Sequence, residues 1–209
     1  HLPTRRQRQM CIRDRWLNFG NHAGSTGGLR EGKGTSFEGG QRVPTIMMWP
    51  DVIPAGKIAN QLSSAIDILP TVSHIVDGNL PKHKIDGINI LEILKGEKVN
   101  PRKEFYYYYG NNNLEAVRKD NWKLILPHNS RSYKGVLPNN DGFPGNYNSI
   151  KTGLELYNLR RDPGEEYDVI KKYPNIAKEL EELVEKARSD MGDNLTGRKG
   201  INNRNHGKL

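Results

Sequence analysis

The longest regular alternation of apolar and polar positions lies near the C-terminus. From Pro174 to Met191, residues Ile176, Leu180, Leu183, Val184, Ala187 and Met191 fall on one face at helical spacing, and Pro174 suits a first helical turn. Shorter runs ahead of it predict strands. Glu104 to Tyr109, Leu114 to Arg118 and Trp122 to Leu126 read as an antiparallel meander, the last two joined at Asp120-Asn121, and Glu155 to Leu159 adds a further strand. Earlier still, Thr45-Ile-Met-Met-Trp49 predicts a short buried strand closed by Pro50, and Gln61 to Ile66 a second one. Asp67 then suits the N-cap of a helix running through Val76 and stopping near Gly78, with Pro70 tolerated in its first turn; a shorter helix spans Asn89 to Lys95 and ends at Gly96. Two stretches show no such pattern. Trp16 to Gly40 is a glycine-rich loop that brings backbone close to something, and 127–153 is a long polar segment, either a functional loop or disordered.

Composition agrees with a loop-rich globular chain: 34% of the 209 residues are hydrophobic, and there are 22 Gly and 12 Pro. A formal charge of +8 raises nucleic acid or an anionic polymer as a partner, but its distribution weakens that reading. Residues 1–15 hold five Arg and one acid, hence +4, which leaves +4 for the other 194 residues. Those fifteen residues lack apolar periodicity and read as unstructured or foreign sequence, with a basic tail or a nucleic-acid arm as the alternatives. The single cysteine, Cys11, excludes an internal disulfide framework and a cysteine-rich zinc site. No apolar run is long enough for a membrane span, and the N-terminus lacks the apolar core of a signal peptide.

Chemistry concentrates in Gly27-Gly-Leu-Arg-Glu-Gly-Lys33-Gly-Thr-Ser-Phe-Glu-Gly-Gly-Gln-Arg-Val-Pro44, where one lysine sits between glycines. Glycines let backbone approach an anion, and Lys33 supplies a compact positive charge. The spacing Gly27 to Lys33 satisfies a phosphate-binding G-x-x-x-x-G-K. The residue that should hold magnesium is Gly34, however, and Pro44 follows where an apolar helix is required, so a nucleotide site is rejected.

This segment, followed by an apolar stretch and Trp49-Pro50, resembles the C-terminal portion of the catalytic domain in type I sulfatases. Ile53-Pro-Ala-Gly56, Ser63-Ser-Ala-Ile-Asp-Ile-Leu-Pro-Thr71, Asp86-Gly87 and Leu156-Tyr-Asn-Leu-Arg-Arg-Asp-Pro-Gly-Glu165 resemble the same family in the same order. The resemblance implies an α/β fold. In it, residues 16–100 form the end of an alkaline-phosphatase-like catalytic domain, 101–191 a small C-terminal subdomain of antiparallel sheet with a packed helix, and 192–209 a polar tail; 1–15 stay outside the family. It also implies a calcium-assisted sulfuric ester hydrolase whose nucleophile is a formylglycine made in a C/S-x-P-x-R motif. Neither group has its residues here. Cys11 lacks the required proline, and the family's Asp-Asn metal ligands align with Ile12 and Arg13, with Asp14 out of register, so no metal ligand is assigned and the isolated chain is expected to be inactive.

Lys33 matches the family lysine that contacts the substrate sulfate, where a fixed cation stabilises charge on the oxygens as the S–O bond breaks. His22 lies eleven residues earlier and is a candidate for contact with the sulfate or leaving group, or else a loop-stabilising histidine. His128, at the end of a strand, is a candidate for the pocket entrance. Glu38 and Arg42 read as structural, and His74 and His83 as structural or exposed. The Tyr106–Tyr109 run offers sugar-stacking rings, although alternation sends two of them to the opposite face. Asn194-Leu-Thr196 is a glycosylation sequon by pattern. The expected partner is a sulfated small molecule or glycan, with neither nucleic acid nor membrane, and an exported location follows from the resemblance. A phosphatase or phosphodiesterase of the same fold and a non-catalytic sulfated-glycan-binding module stand as alternatives.

Overall fold

The computed structural model describes residues 16–203. The readings of Cys11, Ile12, Arg13 and Asp14, and of residues 1–15 as a whole, lie outside the described residues. Among the described residues are four α-helices, α1 (Glu38–Gln41), α2 (Ile68–Ile75), α3 (Leu91–Leu94) and α4 (Pro174–Met191). The strands are β1 (Glu104–Tyr109), β2 (Asn113–Lys119), β3 (Trp122–Ile125), β4 (Asn129–Ser132), β5 (Asn148–Lys151), β6 (Glu155–Asn158), β7 (Gly192–Asp193) and β8 (Arg198–Lys199). The described residues divide between two compact units, one made of those up to Pro44 with those from Tyr106 onward and the other of Thr45–Phe105. The glycine-rich loop therefore packs with the C-terminal sheet, although it precedes the second unit in the chain.

In the first unit β1-β2-β3-β6 form a sheet whose two faces do different work. The pairing of β2 with β3 is antiparallel, Val117 opposite Leu124 and Arg118 opposite Lys123, and β6 continues it antiparallel with Leu156 opposite Leu124. Because side chains alternate across a strand, Trp122, Leu124 and Leu156 face one way and Lys123 and Tyr157 the other. Helix α4 covers the first face: Ala177, Leu180, Val184 and Ala187 pack with Leu114, Val117, Leu124, Leu126 and Leu156, with Tyr106 and Tyr108 at the margin. Pro174 opens the helix and Gly192, at φ 79°, closes it. Arg30, Ser36 and Glu38 of the glycine-rich loop meet Tyr157 and Lys123 on the opposite face. Residues 127–153 contain the β4–β5 hairpin, with Ser130 opposite Ile150, so the polar segment is neither plain loop nor disordered in its flanks.

The second unit is held by polar anchors. Asp67 accepts backbone N–H groups from Ser64 at 2.7 Å and Ile88 at 2.9 Å and pairs with Arg102. Its side chain thus caps the short turn Ala65–Asp67, and helix α2 itself takes no side-chain cap from it. Thr71 continues the link through Ile90 N at 3.0 Å. The expected strands at 45–49 and 61–66 do not form. Ile46 and Met48 are 92% and 82% exposed, and neither stretch joins a described ladder; apolar composition gives a strand only where a partner offers its backbone groups.

Candidate functional site

The loop around Lys33 is built as a rigid platform rather than a flexible one. Gly39 N donates to the Arg30 carbonyl at 2.8 Å, Thr35 Oγ1 to the Gly32 carbonyl at 2.9 Å and Gln41 Nε2 to the Thr35 carbonyl at 2.9 Å. These bonds fold the loop back on itself around Lys33. The glycines are sterically required: a Cβ on Gly39 would lie 2.1 Å from the Glu31 carbonyl oxygen, and one on Gly40 2.4 Å from that of Thr35. Gly34 sits at φ 99°, in the left-handed region that favours glycine.

Three charged side chains pin this platform to the sheet. Arg30 stacks on Phe37 with its guanidinium carbon 3.8 Å from the ring centroid, donates to Tyr157 Oη at 2.9 Å and to the Glu165 carbonyl at 3.1 Å, and pairs with Glu155 at 3.4 Å. Glu31 accepts from Ser132 Oγ at 2.6 Å and from Tyr133 N at 2.7 Å, which ties the residues two before Lys33 to the end of β4. Tyr133 Oη donates to the carbonyl of Lys33 itself at 2.8 Å. Glu38, at the start of α1, meets the ammonium of Lys123 at 3.0 Å, and Lys123 also donates to the Ser36 carbonyl at 2.8 Å.

Lys123 is wholly buried and lies 2.9 Å from a second carboxylate, Glu165. Burial alone would lower its pKa, and the Glu165 and Glu38 carboxylates raise it by more. Glu38 is held below the usual carboxylate range: burial opposes ionisation, but Lys123 and Arg118 outweigh it. Glu165 goes the other way, burial raising it more than Lys123 lowers it. The turn after β6 aims Glu165 inward at φ 52°, with Asp162 accepting Glu166 N at 3.0 Å and Tyr167 N at 2.9 Å, so the Arg-Arg-Asp-Pro-Gly-Glu string of the sequence ends on a buried partner of Lys123.

Lys33 is partly exposed, its ammonium 4.6 Å from the centroid of the Trp16 ring. His22 is exposed at the end of the turn Leu17–His22, which is tied down where Asn18 O accepts from Asn139 N at 3.0 Å and Gly145 N at 2.7 Å. His128 is buried beneath the loop: Nδ1 is 2.7 Å from the Leu126 carbonyl, Nε2 3.2 Å from Glu115 Oε2 and 3.5 Å from Ser36 Oγ. Burial lowers its pKa and the bonds to Glu115 and the Leu126 carbonyl raise it by more, so the net direction is upward. His128 thus meets the Lys33 loop through Ser36. Sequence reasoning missed Lys123, Glu31 and Arg30 because their partners are remote in sequence. The family-like strings that contain Arg30, Glu31, Glu38 and Glu165 were the one available signal.

Among the described residues no three His, Cys, Asp or Glu side chains cluster as a metal would require. Nor is any described helix long and apolar enough to cross a membrane.

Residues 17–78 match the family profile described as sulfatase, and 100–206 that of the C-terminal region of aryl-sulfatase. The chain is 29% identical to bovine (Bos taurus) arylsulfatase A over 168 residues, covering 78% of this chain and 33% of that protein. It is 34% identical to mouse (Mus musculus) N-acetylgalactosamine-6-sulfatase over 158 residues, 70% of this chain and 30% of that protein. Among solved structures, one described under metabolism of multiple glycosaminoglycans by Bacteroides thetaiotaomicron matches with TM-score 0.58 and 30% identity, covering 78% of this chain and 32% of that chain. A sulfatase from Pseudoalteromonas sp. shares the fold with TM-score 0.63 at 22% identity, covering 76% of this chain and 32% of that one. The chain spans about a third of the length of these relatives. The ordered strings, the mixed α/β fold and the profile match over more than half of the residues agree, and this chain belongs to the sulfatase family.

Proposed function

We propose that Lys33 is the cation that meets the sulfate group in sulfate-ester hydrolysis, and that this chain supplies that contact without the nucleophile or the metal ligands. The observation carrying this reading is the construction of its loop. Arg30, Glu31, Tyr133 and Lys123 fix the backbone on both sides of Lys33 while the lysine keeps partial exposure. A cation held in place before the reaction stabilises developing negative charge without reorganisation at the moment of bond cleavage. His22, exposed on its tied turn, contacts the sulfate or leaving group. His128 serves the substrate side indirectly, by holding Ser36 and so the platform under Lys33.

The substrate is a sulfated carbohydrate in preference to an aryl sulfate. Its support is the likeness to N-acetylgalactosamine-6-sulfatase and to a structure described under glycosaminoglycan metabolism, together with the exposed tyrosines beside the loop. We infer an exported location from the family resemblance. The test is a sulfate titration of the 209-residue chain followed by amide NMR. Saturable shifts are expected at 32–36, and Lys33→Ala should weaken them by about tenfold or more, the worth of a charge-assisted contact. Purified chain with calcium should leave an aryl sulfate unhydrolysed. Unchanged sulfate binding in Lys33→Ala, or turnover by the chain alone, overturns the reading.

A further inference from the structure

A second cationic position stands beside Lys33 on the β4–β5 hairpin. A Cβ built on Gly34 would lie 3.3 Å from Arg131 Nη1 and 3.4 Å from its Cδ, with Tyr109 Oη at 3.6 Å, so the guanidinium lies against the backbone one residue past Lys33. Its planar group covers the Tyr147 ring at 4.7 Å, and its positive charge acts on the Tyr133 hydroxyl, which also holds the Lys33 carbonyl. Elsewhere in the described residues Arg30, Arg102, Arg118, Arg188 and Arg198 each face a carboxylate. Arg131 instead lies over the Tyr147 ring, and among the described residues no carboxylate forms an ion pair with it.

An arginine fixed on an aromatic ring keeps its fork of N–H donors oriented and is weakly hydrated, which suits it to bidentate recognition of sulfate or carboxylate. The aromatic surroundings add sugar-sized faces: Tyr147 is 47% and Tyr109 39% exposed. The loop between β4 and β5 is fastened to the turn that precedes Lys33, through Asn18, so the Arg131 and Lys33 positions are held relative to each other. We propose that Arg131 and Tyr147 form a second subsite, which takes an additional anionic substituent on a glycan whose sulfate ester meets Lys33. The proposal rests on the assignment of Lys33. It makes the natural substrate a multiply charged sugar.

Three probes test it on the full 209-residue chain by isothermal titration or NMR: N-acetylgalactosamine 6-sulfate, glucosamine 2-N,6-O-disulfate, and a chondroitin 6-sulfate disaccharide carrying a uronate. At least one doubly charged probe should bind about tenfold tighter than the monosulfate, and which one does so tells sulfate from carboxylate. Arg131→Ala should erase that preference and leave monosulfate affinity unchanged, Arg131→Lys should restore part of it, and Lys33→Ala should weaken all three. Tyr147→Ala serves as a second variant if Arg131→Ala fails to fold, and should reduce the preference. An equal affinity of wild-type chain for all three probes overturns the subsite, as does an unchanged preference in Arg131→Ala or a uniform loss across the probes. If Lys33→Ala leaves monosulfate binding intact while Arg131→Ala still erases the preference, the Lys33 assignment fails and the Arg131 subsite stands.

Discussion

The Lys123 ammonium lies 3.0 Å from Glu38 Oε1 in a site closed to solvent on both sides. Through that pair the C-terminal sheet holds the loop that carries Lys33. Removing one member of a buried ion pair leaves the other charge uncompensated, at a cost of about 3–5 kcal/mol. Here two carboxylates, Glu38 and Glu165, would be stranded. Lys123→Met is expected to lower unfolding free energy by about that amount in urea titrations. Adding Glu38→Gln and Glu165→Gln to it should recover part of the loss. A decrease below about 1 kcal/mol for the single variant, the level of an exposed pair, would show that the cluster is solvated.

His128 gives the fold a pH dependence with a definite sign. Its pKa is raised in the folded state, because the bonds to Glu115 and the Leu126 carbonyl outweigh burial, with Glu155 adding a smaller push in the same direction. A group of this kind contributes its full stabilisation below the unfolded value, about 6.5, and loses it as pH rises through the folded value. The stability difference between wild type and His128→Gln is therefore larger at acidic than at alkaline pH. Urea unfolding of both proteins on either side of neutrality measures it. A difference that stays constant, or grows with pH, would contradict the imidazolium–Glu115 pairing.

Periodicity made α4 and strands β1, β2, β3 and β6 legible because each buries one face against its neighbours. The β4–β5 hairpin was not legible. Asn129-Ser-Arg-Ser132 and Asn148-Ser-Ile-Lys151 show no apolar alternation, and backbone pairing together with the Thr152 bond to His128 N at 3.0 Å holds them. Lys123 misleads in a similar way, since a lysine in Trp122-Lys-Leu-Ile125 reads as the solvent-facing position of a half-buried strand. Its partner Glu38 is 85 residues away, and no local pattern encodes a pairing of that kind. Thr45 to Trp49 erred oppositely: its composition suits a buried strand, but composition does not supply the ladder partner. For the candidate site, sequence reasoning singled out Lys33 and the glycines around it, while the residues that fix that loop became visible only in three dimensions.

Helix α4 should account for much of the first unit's stability through a few side chains. Leu180 is 1% exposed at the centre of the cluster with Leu124 and Leu156, whereas Leu183 packs only at its margin. Truncating a fully buried leucine costs about 2–5 kcal/mol, and a peripheral one less. Leu180→Ala should therefore destabilise the chain clearly more than Leu183→Ala in thermal or urea unfolding. The reverse order would place the helix in a different register on the sheet.

Gly39 joins the fold to the chemistry. It lies under Arg30 and Glu31, and an alanine methyl there would come 2.1 Å from one carbonyl oxygen and 2.4 Å from another. Both obstacles are backbone, so relief requires the platform itself to move, with an overpacking cost of about 1–3 kcal/mol. Because Glu31 and Arg30 anchor the segment leading into Lys33, such a movement displaces the lysine as well as the helix start at Glu38. Gly39→Ala is expected to lower stability and to weaken sulfate binding together. Gly153→Ala is the control: its Cβ would meet nothing closer than Glu155 Oε1 at 3.9 Å, so it should leave both nearly unchanged. If Gly39→Ala loses stability yet binds sulfate like the wild type, the loop's rigidity serves folding alone, and Lys33 does not depend on the platform for its position.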